Sequence, residues 1–111
     1  MTRRKYYRLL REYEKIQSRN EQNLSNYMQH RLSHIKEVLI KQFEKSTHTI
    51  SDAVMALEAD PMKKREPILK KEEEKLIATG NRIYALQQKI ENGENIQPGD
   101  YEETFYHVRR K

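Results

Sequence analysis

From Thr2 to Lys45 the chain carries no proline or glycine, and its apolar side chains recur at helical spacing. Tyr6, Leu9, Tyr13 and Ile16 form one stripe; Leu24, Met28, Leu32, Ile35, Leu39 and Phe43 form a second. At about 100° per residue the second stripe falls within one arc, with His30, His34, Glu37 and Lys41 on the opposite side. Residues 17–23 separate the stripes with a polar run that contains no breaker. The pattern leaves open whether the chain turns there or runs on as one helix of about 60 Å.

A third helix is expected to start at Thr49, whose hydroxyl suits a cap with Asp52 three residues on, and to stop at Asp60-Pro61. Its inward face is Ile50, Val54 and Leu57. Residues 61–67 read as a charged connector, because a residue before proline is driven out of the helical region. Pro67 suits the first turn of a fourth helix, with Leu69, Leu76, Ile83 and Ile90 at heptad spacing and a left-handed stop at Asn92-Gly93. Gly80 lies near that seam, where it admits a close helix approach at a cost of about 1 kcal/mol in helix propensity. In the tail, Asp100 with Glu103 resembles a capping box for a short helix bearing Tyr101, Phe105 and Val108. Thr104, Tyr106 and Val108 also alternate as a strand would, and the helix is preferred.

These elements predict an all-α fold: an elongated bundle of about four helices over 1–93, with 94–111 as a short tail or helix. The composition adds that such a bundle is thinly cored, since 35% of its 111 residues are apolar and 35% are charged. A core of this size is expected to need cover from a protein partner or a second copy. The residues expected at that interface are Tyr6, Leu9, Tyr13, Leu24, Met28, Leu32, Ile35, Leu39, Leu76 and Ile83.

Charge is unevenly placed. Arg3, Arg4, Lys5, Arg8, Arg11, Lys15 and Arg19 stand against Glu12 and Glu14 in the first 19 residues, an excess equal to the +5 of the whole chain. Arg4, Arg8, Arg11, Lys15 and Arg19 cluster within about 80° of arc, opposite the first apolar stripe, and are the candidate nucleic-acid-binding residues. The plainer reading of that stripe is a solubilising or salt-bridging face. Its tyrosines lie mostly on the core side, so only weak, sequence-independent contact with phosphates is expected.

Chemistry beyond binding finds little footing. There is no cysteine, which excludes disulfides, thiolate metal sites and thiol nucleophiles. His30 and His34 have metal-ligand spacing, with Glu37 a turn further, but the pattern lacks the glutamate of a metalloprotease and a third strong ligand, so no metal is expected. Glu72, Glu73 and Glu74 sit among Lys70, Lys71 and Lys75 as the pairs of an exposed helix would. Three glycines supply no phosphate-cradling loop. No enzyme activity, cofactor or small-molecule substrate is expected. No stretch approaches the roughly 18 apolar residues of a membrane span, and polar helix follows the basic start, so a cytoplasmic or nuclear protein is expected.

The stretch Leu24-Ser25-Asn26-Tyr27-Met28-Gln29-His30-Arg31-Leu32-Ser33-His34-Ile35-Lys36 resembles the central helix of the GINS replication factors. In that family it reads as an aliphatic residue, a Tyr or aliphatic, then Arg-Leu, two more residues and Ile-Glu or Ile-Lys. Tyr6-Tyr7-Arg8-Leu9-Leu10-Arg11-Glu12-Tyr13 looks like the family's early Tyr-rich helix, and the run from Leu69 to Leu76 looks like its Leu-x-x-Glu-Glu start of a later helix. The resemblance covers roughly residues 5–92. It implies a non-catalytic subunit of a four-subunit ring that couples the replicative helicase to its accessory factor, with Arg31 and Leu32 locking the helix against its neighbours. The family usually carries a small β domain as well, for which the residues after Gly93 are too few. Two further readings stand beside this one: a nucleic-acid-binding protein using the basic stripe, and a coiled-coil scaffold unrelated to replication.

Overall fold

The computed structural model describes residues 1–19, 24–59 and 67–106, without the side chains of 67–69. These residues form helices α1 (Arg3–Gln17), α2 (Asn26–Ala59), α3 (Pro67–Glu91) and the single turn α4 (Pro98–Tyr101), and no strand. The polar run after Ile16 therefore ends one helix before the next begins. Thr2 opens α1 in an extended conformation, its hydroxyl accepting from the Lys5 N–H at 3.2 Å. Ser18 closes it, with its N–H on the Glu14 carbonyl and its hydroxyl on that of Lys15.

No helix starts at Thr49. α2 runs through it unbroken for 34 residues, about 51 Å. The Thr49 hydroxyl donates back to the Lys45 carbonyl at 3.0 Å, and Thr47 does the same to Phe43 at 2.9 Å. Threonine satisfied within a helix in this way does not act as a cap. Burial explains the outcome: Phe43, Ser46 and Ile50 are 1–4% exposed, so the residues around Thr49 are held on one continuous packed face.

α3 begins at Pro67, as its sequence predicts, and stops at Gly93 with φ of 72°. The Glu94 N–H reaches the Lys89 carbonyl at 2.9 Å and the Gly93 N–H reaches Ile90 at 3.2 Å, a Schellman closure that requires the left-handed glycine. Most of the connector before α3 lies outside the described residues. Lys36 of α2 donates to the Glu91 carbonyl, while Ile50 lies beside Gly80, so α2 and α3 run antiparallel.

α1 lies on the half of this hairpin formed by the start of α2 and the end of α3. Its Tyr13 hydroxyl donates to the Ile90 carbonyl and its Gln17 amide to the Gly93 carbonyl. Here the core closes: Tyr6, Leu10 and Tyr13 from α1, Ile35, Leu39 and Phe43 from α2, and Ile83, Leu86 and Ile90 from α3 are all 0–1% exposed. The molecule measures 58 × 26 × 21 Å, longer than this core, because the far part of the hairpin extends past α1 as a two-helix arm.

The tail belongs to the same core rather than standing apart from it. Ile96, Tyr101 and Thr104 are 1–6% exposed. The turn α4 is set by Asp100, whose carboxylate accepts from the Gln97 N–H at 2.9 Å, with Pro98 in the first helical position. The expected pairing of Asp100 with Glu103 is absent because Glu103 sits at φ 58°, where a helix cannot continue. Of the apolar residues predicted for the short helix, Tyr101 lies in α4 and Phe105 follows in irregular chain; Val108 lies outside the described residues. Beyond α4 the chain straps the bundle. Thr104 donates to the Tyr101 carbonyl at 2.7 Å and so receives the Tyr6 hydroxyl at 2.6 Å, while Ser46 donates to the Tyr106 carbonyl.

Candidate functional site

Tyr6, Leu9, Tyr13, Ile35, Leu39 and Ile83, expected at an interface with another chain, are 0–3% exposed within this one. Folding α1 and the tail back onto the hairpin supplies the cover that the pattern alone assigns to a partner, so none of these six is offered outward. Leu24, Met28, Leu32 and Leu76 are half-buried at the margin of the same cluster.

The closed end is fastened by polar clasps between distant parts of the sequence. Arg31 of α2 reaches Glu12 of α1 in a two-pronged contact of 2.8 and 2.9 Å, with both side chains about one-third exposed. That contact holds the Glu12 carboxyl below its ordinary range, against the opposing effect of partial burial. Tyr101 donates to Glu14 at 2.7 Å, and burial followed by this bond to an ionised carboxylate pushes the phenol up to about 12. Asp100 is held low by the Gln97 N–H and then by Lys89 at 3.0 Å. Burial raises Tyr6 well above the usual tyrosine range. Nothing local announces the pairings of Glu12 with Arg31, Glu14 with Tyr101 or Asp100 with Lys89; Arg31 is singled out only through the resemblance, and Glu14 and Lys89 carry no signal in the sequence.

On the outside of α1, Arg4, Arg8, Arg11 and Lys15 are all exposed, as the helical spacing predicts, and Arg19, beyond the helix end, is exposed as well. Arg8, Arg11 and Lys15 border a shallow cleft of about 640 Å³ with Ser18, Glu12 and Glu14, and Ile96 lies at its base. Both acids of the cleft are engaged from its flanks, Glu12 by Arg31 and Glu14 by Tyr101. Arg3 lies elsewhere, its guanidinium 5.6 Å from the centre of the Tyr7 ring.

The arm presents a different surface. Past Ile50, the inward residues Val54, Leu57 and Leu76 remain half-exposed. Ile77 and Tyr84 stand seven residues apart on one side of α3 at 44% and 60% exposure, and Met55 of α2 is 64% exposed. Glu73, expected among outward-facing acids, instead turns inward and is 8% exposed.

His30, His34 and Glu37 lie on the exposed side of α2, and among the described residues no three His, Asp or Glu side chains are placed to hold a metal ion. No described helix is long and apolar enough to cross a membrane. Two surfaces thus stand out among the described residues, the basic outer face of α1 and the exposed apolar pair Ile77 and Tyr84 on α3. No protein-family model, curated protein or solved structure matches the chain.

Proposed function

We propose that the chain is a non-catalytic helical assembly subunit, an adaptor that holds other proteins together, and that its specific form is a GINS-like subunit linking components of a DNA replication complex. The outer side of α3 carries this reading. Ile77, where the arm begins, and Tyr84, on the outside of the closed end, form an uncovered apolar pair along one side of α3, and the seam of the arm beyond them stays half-open, the kind of surface that association covers. The replication form rests on the resemblance around Arg31-Leu32. Arg31 clasps α1 and Leu32 packs at the edge of the core, the structural role the resemblance implies for both.

The test is light scattering on the protein purified from its native host at low salt, alongside an Ile77→Glu/Tyr84→Glu variant. An adaptor migrates in a complex well above the 13.5 kDa of the chain, and the variant returns to that mass with its helicity unchanged. A 13.5 kDa monomer for both proteins refutes the reading. A complex whose other members include no replication protein removes the GINS-like form and leaves a scaffold of another pathway.

A further inference from the structure

We propose that the outer face of α1 is a docking surface for the phosphate backbone of duplex nucleic acid, bound without regard to base sequence. Arg4, Arg8, Arg11 and Lys15 follow one another at steps of three or four residues, a ladder about 16 Å long with rungs about 4.5–6 Å apart, and Arg19 stands just past the end of the helix at Gln17. All five are exposed, and among the described residues none lies in an ion pair. The two acids that interrupt the ladder are already engaged. Arg31 offsets the charge of Glu12, while Glu14 keeps its own in the bond it accepts from Tyr101, so the cations of this face outweigh the one uncompensated acid among them.

The chemistry of this face selects its partner. A protein interface is centred on apolar and aromatic anchors, and a helix lying on a membrane inserts apolar residues beside its cations. The outer face of α1 has neither, because Tyr6, Leu9, Leu10, Tyr13 and Ile16 are turned into the core at 0–4% exposure and Ile96, at 3%, is sunk beneath the cleft. A phosphate backbone requires only a row of cations in reach. Single strands are held largely by stacking of bases on aromatic rings, and no aromatic side chain lies between the rungs, which favours the duplex. The proposal is independent of the assembly reading, since the two surfaces share no residue.

Fluorescence anisotropy on two unrelated DNA duplexes across a salt series tests it. Five phosphate contacts give a log–log slope of about −4.5, or roughly a 500-fold loss of affinity between about 50 and about 200 mM salt. Both duplexes are expected to bind alike. Replacing Arg4, Arg8 and Arg11 by Gln should lower the slope to about −1.8, the value for two remaining contacts. Arg4→Glu with Arg8→Glu and Arg11→Glu should abolish binding, whereas the equal charge change at Lys45, Lys70 and Lys71 should leave the slope unaltered. Circular dichroism checks that each variant keeps its helices. Preference for one duplex, tighter binding to anionic vesicles or to polyglutamate, or equal loss in the Lys45/Lys70/Lys71 variant would each overturn the proposal.

Discussion

Where α1 lies on the hairpin, Tyr6, Leu10, Phe43 and Leu86 are 0–1% exposed, yet along the arm built by the same two long helices Val54, Leu57 and Leu76 stay half-open. The helices do not change character between the two ends; the number of layers does. An amphipathic stripe on a globular helix spans about 100° or more, and a single neighbour covers only a narrow seam of it. At the closed end α1, the turn α4 and the strap at Thr104–Tyr106 cover the remainder. The aromatic rings of Tyr6, Phe43 and Phe105 meet there, with centroids 6.2 and 5.4 Å from that of Tyr6. Along the arm no third described helix plays this part.

The strongest way to break this comparison is to empty matched positions. Phe43→Ala should cost about 3–5 kcal/mol, because a fully buried ring leaves a cavity walled by three helices. Val54→Ala should cost under about 1.5 kcal/mol, since its site is half-open and can collapse or admit water. Urea denaturation of both variants decides the matter, and equal costs would mean that the arm is as well closed as the rest.

Acid should act on the closed end first. Glu12 and Asp100 have carboxyls held below their ordinary 4.5 and 3.8, so folding favours their ionised forms. That stabilisation is present above those values and is lost as pH falls through the lower values of the folded state. Thermal melts between pH 7 and pH 3 should decline most steeply below about pH 4.5, and Asp100→Asn should flatten the decline. Tyr101 works in the opposite sense. Its phenol is raised from 10.0 to about 12, so its contribution is whole below pH 10 and disappears as pH rises through about 12.

A smaller effect is expected from the clasp itself. A double-mutant cycle on Arg31→Ala and Glu12→Ala should give a coupling of about 1 kcal/mol, the upper range for a partly exposed pair with two-pronged geometry. Coupling near zero would show that apolar packing alone seats α1. The smallest change sharpens the picture of the arm. A methyl group added at Gly80 would lie 3.4 Å from Ile50, at the close end of ordinary contact. Gly80→Ala should therefore stabilise by about 0.5 kcal/mol, part of the roughly 1 kcal/mol propensity gain. A loss instead would mean that α2 and α3 approach as closely as glycine alone permits.

The alternation of apolar and polar positions was sufficient to place most of the helical faces, the start at Pro67, the stop at Gly93 and the exposed basic ladder of α1. Each depends on interactions within a few residues: the period of the helix, the ring of proline, the left-handed freedom of glycine. Tertiary structure alone decided that α2 continues past Thr49, that α1 and the tail fold back as cover, and that Glu12 meets Arg31, Glu14 meets Tyr101 and Tyr6 meets Thr104. A cap at Thr49 is worth about 1 kcal/mol, less than the burial of Phe43 and Ile50 that an unbroken helix secures. The clasps join residues 19, 87 and 98 positions apart, and no local pattern encodes a partner at such a distance. Of the two candidate surfaces, the ladder was legible because exposure on a helix follows its period. The apolar pair at Ile77 and Tyr84 was not, because an apolar side chain on a helix gives no sign by itself of which neighbours will leave it uncovered.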